Sequence, residues 1–202
     1  MNQIIDYLDE ILPNAQCELN YTKDYELLIA VMLSAQTTDK RVNMVTNILF
    51  KQYPSLEALS KAKLNDLIDI IRPIGTFNKK ALNIIAIAKK LLEETNGVVI
   101  NNREFLESLN GVGRKTTNVV LSNLYNEECI AVDTHVKRVS KRLGISTSSD
   151  VLVIEKDLNN FFPKNKLNQL HHQLVLFGRY YCKANNPQCC NCKLKNICKY
   201  YK

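Results

Sequence analysis

The sequence predicts an all-α fold, and three observations predict it. Apolar residues recur at helical intervals along most of the chain. Glycine and proline number only 6 and 5 in 202 residues, too few to turn an all-β chain every ten residues or so. Apolar residues make up 46% of the sequence, enough to build the core of one large domain or of two smaller ones sharing a core.

The first segment, MNQIIDYLDEIL, carries Asp6, Asp9 and Glu10, lacks the basic start of a signal peptide, and reads as an amphipathic helix. From Asp24, DYELLIAVMLSAQ is apolar on nearly every face, which suits a helix buried inside a bundle. Thr37, Thr38 and Asp39 then offer N-cap chemistry to a helix whose apolar face takes in Val42, Val45, Ile48 and Leu49. Leu64, Leu67, Ile68 and Ile71 repeat at helical spacing before Pro73 and Gly75 stop the helix. The next helix, from about Asn78 to Glu94, turns Leu82, Ile85 and Leu92 inward and ends at a left-handed cap, Asn96-Gly97. REFLESL gives a short helix, Asn110-Gly111-Val112-Gly113 a tight link, and the following helix carries Val119, Val120 and Leu124. A further helix begins near Thr134 and at least two more fill residues 150 to 181. That makes about ten helices and a small irregular C-terminal appendage.

A formal charge of +7 favours a polyanionic partner, although a solvated lysine face gives the same sum. No stretch approaches the roughly 18 apolar residues that span a bilayer, so a soluble, cytoplasmic chain is expected. Five of the seven cysteines crowd between 182 and 198, leaving only Cys17 and Cys129 elsewhere. In a reducing compartment that clustering points to a metal site.

Two segments carry chemistry. In LNGVGRKTTNVV two glycines flank one apolar residue just before a helix, so backbone N–H groups at a helix N-terminus face outward, as in a phosphate site. A bare GxG is also an ordinary helix-connecting turn, but here Arg114 and Lys115 follow at once, and residues 111 to 142 hold six Lys/Arg against three acids. By residue type alone Lys115 reads as a phosphate binder and Asp133, opening a helix in VDTH, as an N-cap. The second segment is the C-x6-C-x2-C-x5-C spacing of Cys182, Cys189, Cys192 and Cys198, with Cys190 an extra thiol. Four thiolates suit tetrahedral zinc or an iron–sulfur cubane, with disulfides a third alternative, and spacing leaves these open.

Together, LNGVGRKTTNVVL, IAVDTHVKRVSKRLG and the cysteine spacing resemble the endonuclease III family of bifunctional helix-hairpin-helix DNA glycosylases. The resemblance extends to SAQTTD and HHQLVLFGRYYC and covers nearly the whole chain. It implies a two-domain helix-hairpin-helix glycosylase fold: a six-helix bundle over residues 21–128, and a second helical domain from 1–20 and 129–202 with a [4Fe-4S] loop at 182–198, the active-site cleft lying between them. The implied activity is excision of oxidised pyrimidines from double-stranded DNA and cleavage at the abasic site. Lys115 is the implied Schiff-base nucleophile and Asp133 its partner. A neutral amine is required, whereas a free lysine has a pKa of about 10.4, so partial burial and the neighbouring Arg114 are expected to lower it. Gly111, Val112, Gly113 and Arg114 are expected on the DNA backbone, with Lys193 and Lys195 on phosphates. Gln36 and Thr76 are expected to fill the gap left when the base leaves the stack, a step costing a few kcal/mol. Cys182, Cys189, Cys192 and Cys198 are the implied cluster ligands; His171 and His172 are expected in helix packing or at the surface. A monomer is implied, nucleoid-associated and with no membrane partner.

The chain departs from the family in three places. Asn110 replaces a usual proline, Thr76 a usual leucine (with Phe77 an alternative wedge), and KANNPQ after Cys182 is less basic than expected. Where the adenine-specific mismatch glycosylases carry a glutamate in the early helix, this chain has Ala30. That relative is one rival reading; a non-catalytic DNA-binding module is the other.

Overall fold

The structure, a computed structural model, describes residues 1–201; Lys202, the end of the second expected domain, lies outside the described residues. Eleven α-helices form among the described residues, with no strand. The chain divides into two compact units, one of residues 18–125 and one combining 1–17 with 126–202.

The continuous unit begins with α2 (Asp24–Leu33), preceded in the chain by α1 (Asn2–Ile11) of the other unit. Nine of the ten α2 residues are buried, so the segment that is apolar on all sides is also enclosed on all sides. Its entry is locked by Glu26, whose carboxylate accepts from the Thr22 amide and hydroxyl and from the Lys23 amide, satisfying donors ahead of the helix start. Against it pack α3 (Asp39–Gln52) and α6 (Phe77–Thr95), and on α6 in turn pack α4 (Leu56–Ser60, capped by the Ser55 hydroxyl) and α5 (Leu64–Ile71). The unit closes with α7 (Arg103–Glu107), capped by Asn102, and α8 (Arg114–Tyr125). Asp24 ties this last portion back to the start by accepting the Val99 amide at 2.9 Å.

Two inward faces differ from expectation. On α3, Ile48 is 57% exposed while Val42, Val45 and Leu49 are buried. On α6, Leu82 is 55% exposed and the buried stripe runs instead through Lys80, Ala81, Ile84, Ile87, Ala88 and Leu91. The helix spans more than five turns, so several apolar residues lie off the stripe and the sequence leaves its rotation loosely set. Its end is as expected, with Asn96 and Gly97 both at positive φ.

The discontinuous unit contains α1, α9 (Thr134–Leu143), α10 (Val151–Phe161) and α11 (Leu167–Leu176), followed by a π-helical turn over Phe177–Tyr181. Its core joins Ile4, Tyr7 and Leu8 to Val136, Val139, Ile154, Leu158, Leu170, Leu174 and Phe177, and Leu194 anchors the appendage to the same cluster. Asp9 binds the remote end of the chain, with Lys166 Nζ at 3.0 Å and Gln173 Nε2 at 2.8 Å; these contacts draw its carboxyl below the usual range. No helix is long and apolar enough to cross a membrane among the described residues.

Candidate active site and metal centre

The two glycines of the hairpin have different physical reasons. Gly111 sits at φ +77, and a Cβ there would come within 2.3 Å of Asn83 Nδ2 on α6. Gly113 has no such neighbour: a Cβ would meet nothing within 4 Å. Gly111 is therefore required by the fold, while Gly113 leaves its outward side bare. Val112 between them is buried, its amide donating to Leu109 O at 3.1 Å. The Gly113 carbonyl takes the first helical hydrogen bond, from Thr117 N at 3.0 Å, so α8 begins at once and its first-turn amides lack intrahelical acceptors.

Lys115 lies in that first turn and is exposed. The partial burial expected for it is not found. Asp133, in the other unit, is the N-cap of α9: its Oδ1 accepts from the amides of His135 and Val136, both at 2.8 Å. Both bonds fall on one oxygen, and no described residue bonds to Oδ2. His135 is half-buried with Nδ1 3.2 Å from Arg138 Nη2.

Gln36 and Thr76 share an unusual backbone state. Among the described residues five non-glycine residues have positive φ; three are asparagines, which tolerate it, and the other two are Gln36 and Thr76, both at φ 58. A β-branched residue in this region is strained, so Thr76 is held there by its surroundings. Both side chains are exposed, whereas Phe77 is half-buried with the Arg72 guanidinium 5.8 Å from its ring centroid.

The two turns meet at a residue the sequence reading overlooked. Lys80 is 5% exposed. Its Nζ donates to Leu33 O at 2.9 Å, on the last residue of α2, and to Ala35 O at 2.7 Å, just past it, and burial lowers its pKa. Its own amide donates to Thr76 O at 3.1 Å. The available signal was its position, four residues before Ile84 on the apolar stripe of α6.

Cys182, Cys189, Cys192 and Cys198 are half-buried free thiols, Cys190 is exposed, and Cys129 is buried. The four line one cavity of about 250 Å³ together with Tyr7, Arg142, Phe177 and Tyr200. Among the described residues no three His, Cys, Asp or Glu side chains stand as the ligands of a metal ion. Burial pushes the Cys189 and Cys192 thiols up, and the nearby Cys182 and Cys198 add to the effect on both. Arg142, 9% exposed, straps the loop. Its guanidinium donates to Cys182 O and Sγ, Lys183 O and Ala184 O, and lies 3.9 Å from the Tyr200 ring centroid. Arg138 Nε and Nη2 hold Cys182 O and Gly178 O. Sequence reasoning missed both arginines, although Arg142 continues the buried stripe of Val136 and Val139. His171 and His172 are buried on α11, and burial drives the His172 pKa down to about 4. Lys195 is exposed, and Lys193 Nζ lies 2.6 Å from Glu10 Oε1.

The model of the HhH-GPD superfamily of base excision DNA repair proteins matches residues 29–164. An endonuclease III of Bacillus subtilis (strain 168) is 45% identical over 196 residues, covering 96% of this chain and 90% of that protein. The chain belongs to the endonuclease III family. Similarity to solved structures agrees. A trapped endonuclease III–DNA covalent intermediate, an estranged-adenine complex, is 46% identical with a TM-score of 0.92 over 98% of this chain and 95% of that one. A non-covalent endonuclease III–DNA complex is 45% identical with a TM-score of 0.94, covering 98% and 93%. As a family member the chain is a base-excision DNA repair enzyme, a DNA glycosylase with lyase activity at abasic sites.

Proposed function

We propose that this enzyme removes oxidised pyrimidines from duplex DNA through a covalent imine on Lys115, with Asp133 as the carboxylate that handles its proton. The observation that carries the reading is the placement of Lys115 in the first turn of α8, directly after the bare side of Gly113. A DNA phosphate received on the first-turn amides brings the sugar chain to the lysine that follows. An endonuclease III similar to this chain has been trapped as a covalent DNA intermediate, which supports the same route here.

In this route the neutral Lys115 amine attacks C1′ as the glycosidic bond breaks, its electron pair leaving with the base, which is protonated. Opening of the sugar gives the imine; loss of a C2′ proton then expels the 3′-phosphate by β-elimination, and water releases the lysine. Asp133 Oδ1 is engaged by two amides, leaving Oδ2 for the proton. Gln36 and Thr76 fill the gap in the stack, Gly111, Val112, Gly113 and Arg114 hold the backbone, and Lys195 and Lys193 meet phosphates. The exposed Lys193–Glu10 pair is worth about 0–1 kcal/mol, so a phosphate can compete with it.

We also propose that Cys182, Cys189, Cys192 and Cys198 hold a [4Fe-4S] cluster. The donor set fits: four free thiols line one cavity, and a cubane takes one thiolate per iron rather than four on one ion. When bound, it would supply four cross-links to a segment otherwise short of regular structure. The enzyme is read as a cytoplasmic, nucleoid-associated monomer.

The test is borohydride trapping on a duplex with one abasic site or thymine glycol. A covalent complex in wild type that is lost in Lys115→Ala supports the imine and its nucleophile together. No complex from fully metallated protein sinks the lysine mechanism.

A further inference from the structure

We propose that Lys80 is a positioning residue for lesion excision: its side chain and its backbone together fix the two left-handed turns that present Gln36 and Thr76. The inference rests on the reading that those two residues enter the DNA stack, and goes beyond it by naming what holds them.

The geometry is specific to one residue. Lys80 Nζ reaches across from α6 to the carbonyls of Leu33 and Ala35, at 2.9 and 2.7 Å, on either side of Ser34. Those carbonyls end α2, where the helix dipole favours a cation and the last C=O groups lack helical partners. Gln36 follows immediately, and the turn is closed by Thr37 N on Ser34 O at 3.0 Å. The same residue's amide donates to Thr76 O, so Thr76 is held in the opening turn of α6. That amide bond is the regular helical one and survives a side-chain replacement, so Lys80 joins the two turns while its Nζ contacts alone carry what a substitution removes. An ammonium with 5% exposure is costly unless bonded, and here it is bonded to the last carbonyl of α2 and to one in the turn that follows. An apolar residue at position 80 would serve the core stripe equally well, and would leave Leu33 O and Ala35 O without this donor.

The experiment compares Lys80→Met, Lys80→Gln, Gln36→Ala, Thr76→Ala and the double variants on two substrates: a duplex with thymine glycol, which requires extrusion of the base, and one with an abasic site. Hydrogen exchange at residues 34–38 is followed in parallel. Lys80→Met is expected to lower kcat/KM for thymine glycol about tenfold, with little change in borohydride trapping at saturating abasic DNA. Exchange at 34–38 should rise. Because Lys80 acts through the turn, Lys80→Met should add less than about twofold to the loss caused by Gln36→Ala alone. Lys80→Gln, which keeps a donor, should lose less; if the methionine variant does not fold, the glutamine variant carries the same cycle. Losses in Lys80 and Gln36 variants that multiply, or a Lys80 variant with full excision, overturn the proposal while leaving the Gln36 reading intact. Full excision in both Gln36→Ala and Thr76→Ala overturns the reading and the proposal with it.

Discussion

Arg142 and Cys182 are joined twice: guanidinium Nη1 lies 3.3 Å from both the carbonyl oxygen and the Sγ of the cysteine. The arginine returns the contact at the other end of the loop, where its own carbonyl accepts from Cys198 Sγ at 3.4 Å and from the Lys199 amide at 2.8 Å. The first and last cysteines of the motif thus share one residue of α9.

Replacing Arg142 with Gln shortens the side chain and removes the donors to Lys183 O and Ala184 O. Leaving such acceptors unpaired costs about 1–3 kcal/mol. The thermal midpoint is expected to fall by several degrees and iron per chain to drop. Unchanged iron content after anaerobic purification would show that the strap does not support the cysteine loop.

The two hairpin glycines should respond differently to the same change. Gly111→Ala meets Asn83 at 2.3 Å and a strained φ, and is expected to destabilise by about 1–3 kcal/mol. Gly113→Ala should leave the midpoint of denaturant unfolding nearly unchanged and weaken duplex binding, because its Cβ enters only the space a phosphate would use. Paired unfolding and fluorescence-anisotropy titrations separate the two effects.

Asp133 has a structural duty that can be kept while its proposed proton chemistry is removed. Asn caps a helix as well as Asp does, whereas Ala costs about 1 kcal/mol. Asp133→Asn is expected to retain the stability of wild type and lose most excision; Asp133→Ala should lose both. Excision by Asp133→Asn at the wild-type rate would reduce the residue to its capping role.

Acid should weaken the fold through His172. Its folded pKa is depressed to about 4 from 6.5, so the unfolded chain takes up the proton first as pH falls. Stability is fully present above pH 6.5, declines between 6.5 and about 4, and then levels off. Two and a half units correspond to about 3 kcal/mol at 1.36 per unit. Urea midpoints across this range should slope in wild type and flatten in His172→Leu.

How far the sequence could be read is clearest at particular residues. The enclosure of α2, the left-handed stop at Asn96-Gly97 and the cap at Asp133 each express a local rule, and each was visible. The exposure of Leu82 and Ile48 was not, because a helix with apolar residues on more than one side does not declare its rotation until it meets a neighbour. Lys80 and Arg142 were missed for a related reason. Each is a charged residue on an apolar stripe, and what makes it important is a backbone carbonyl in another segment. The strain at Gln36 and Thr76 likewise has no sequence signature, since neither residue type favours a positive φ.

The Asp9 contacts to Lys166 and Gln173 join positions 157 and 164 residues apart, and this imposes an order on synthesis. As the chain leaves the ribosome, the unit of residues 18–125 can complete itself while the first helix still waits for its partners. That amphipathic helix, with Ile4, Tyr7 and Leu8 ready for burial, stays uncovered until the last third of the chain emerges. Only then do α11 and the cysteine loop arrive to enclose it. Tyr7 lines the cysteine cavity, so a segment made before the continuous unit is sealed after it. Iron delivery and burial of the N-terminal helix would fall in the same late interval.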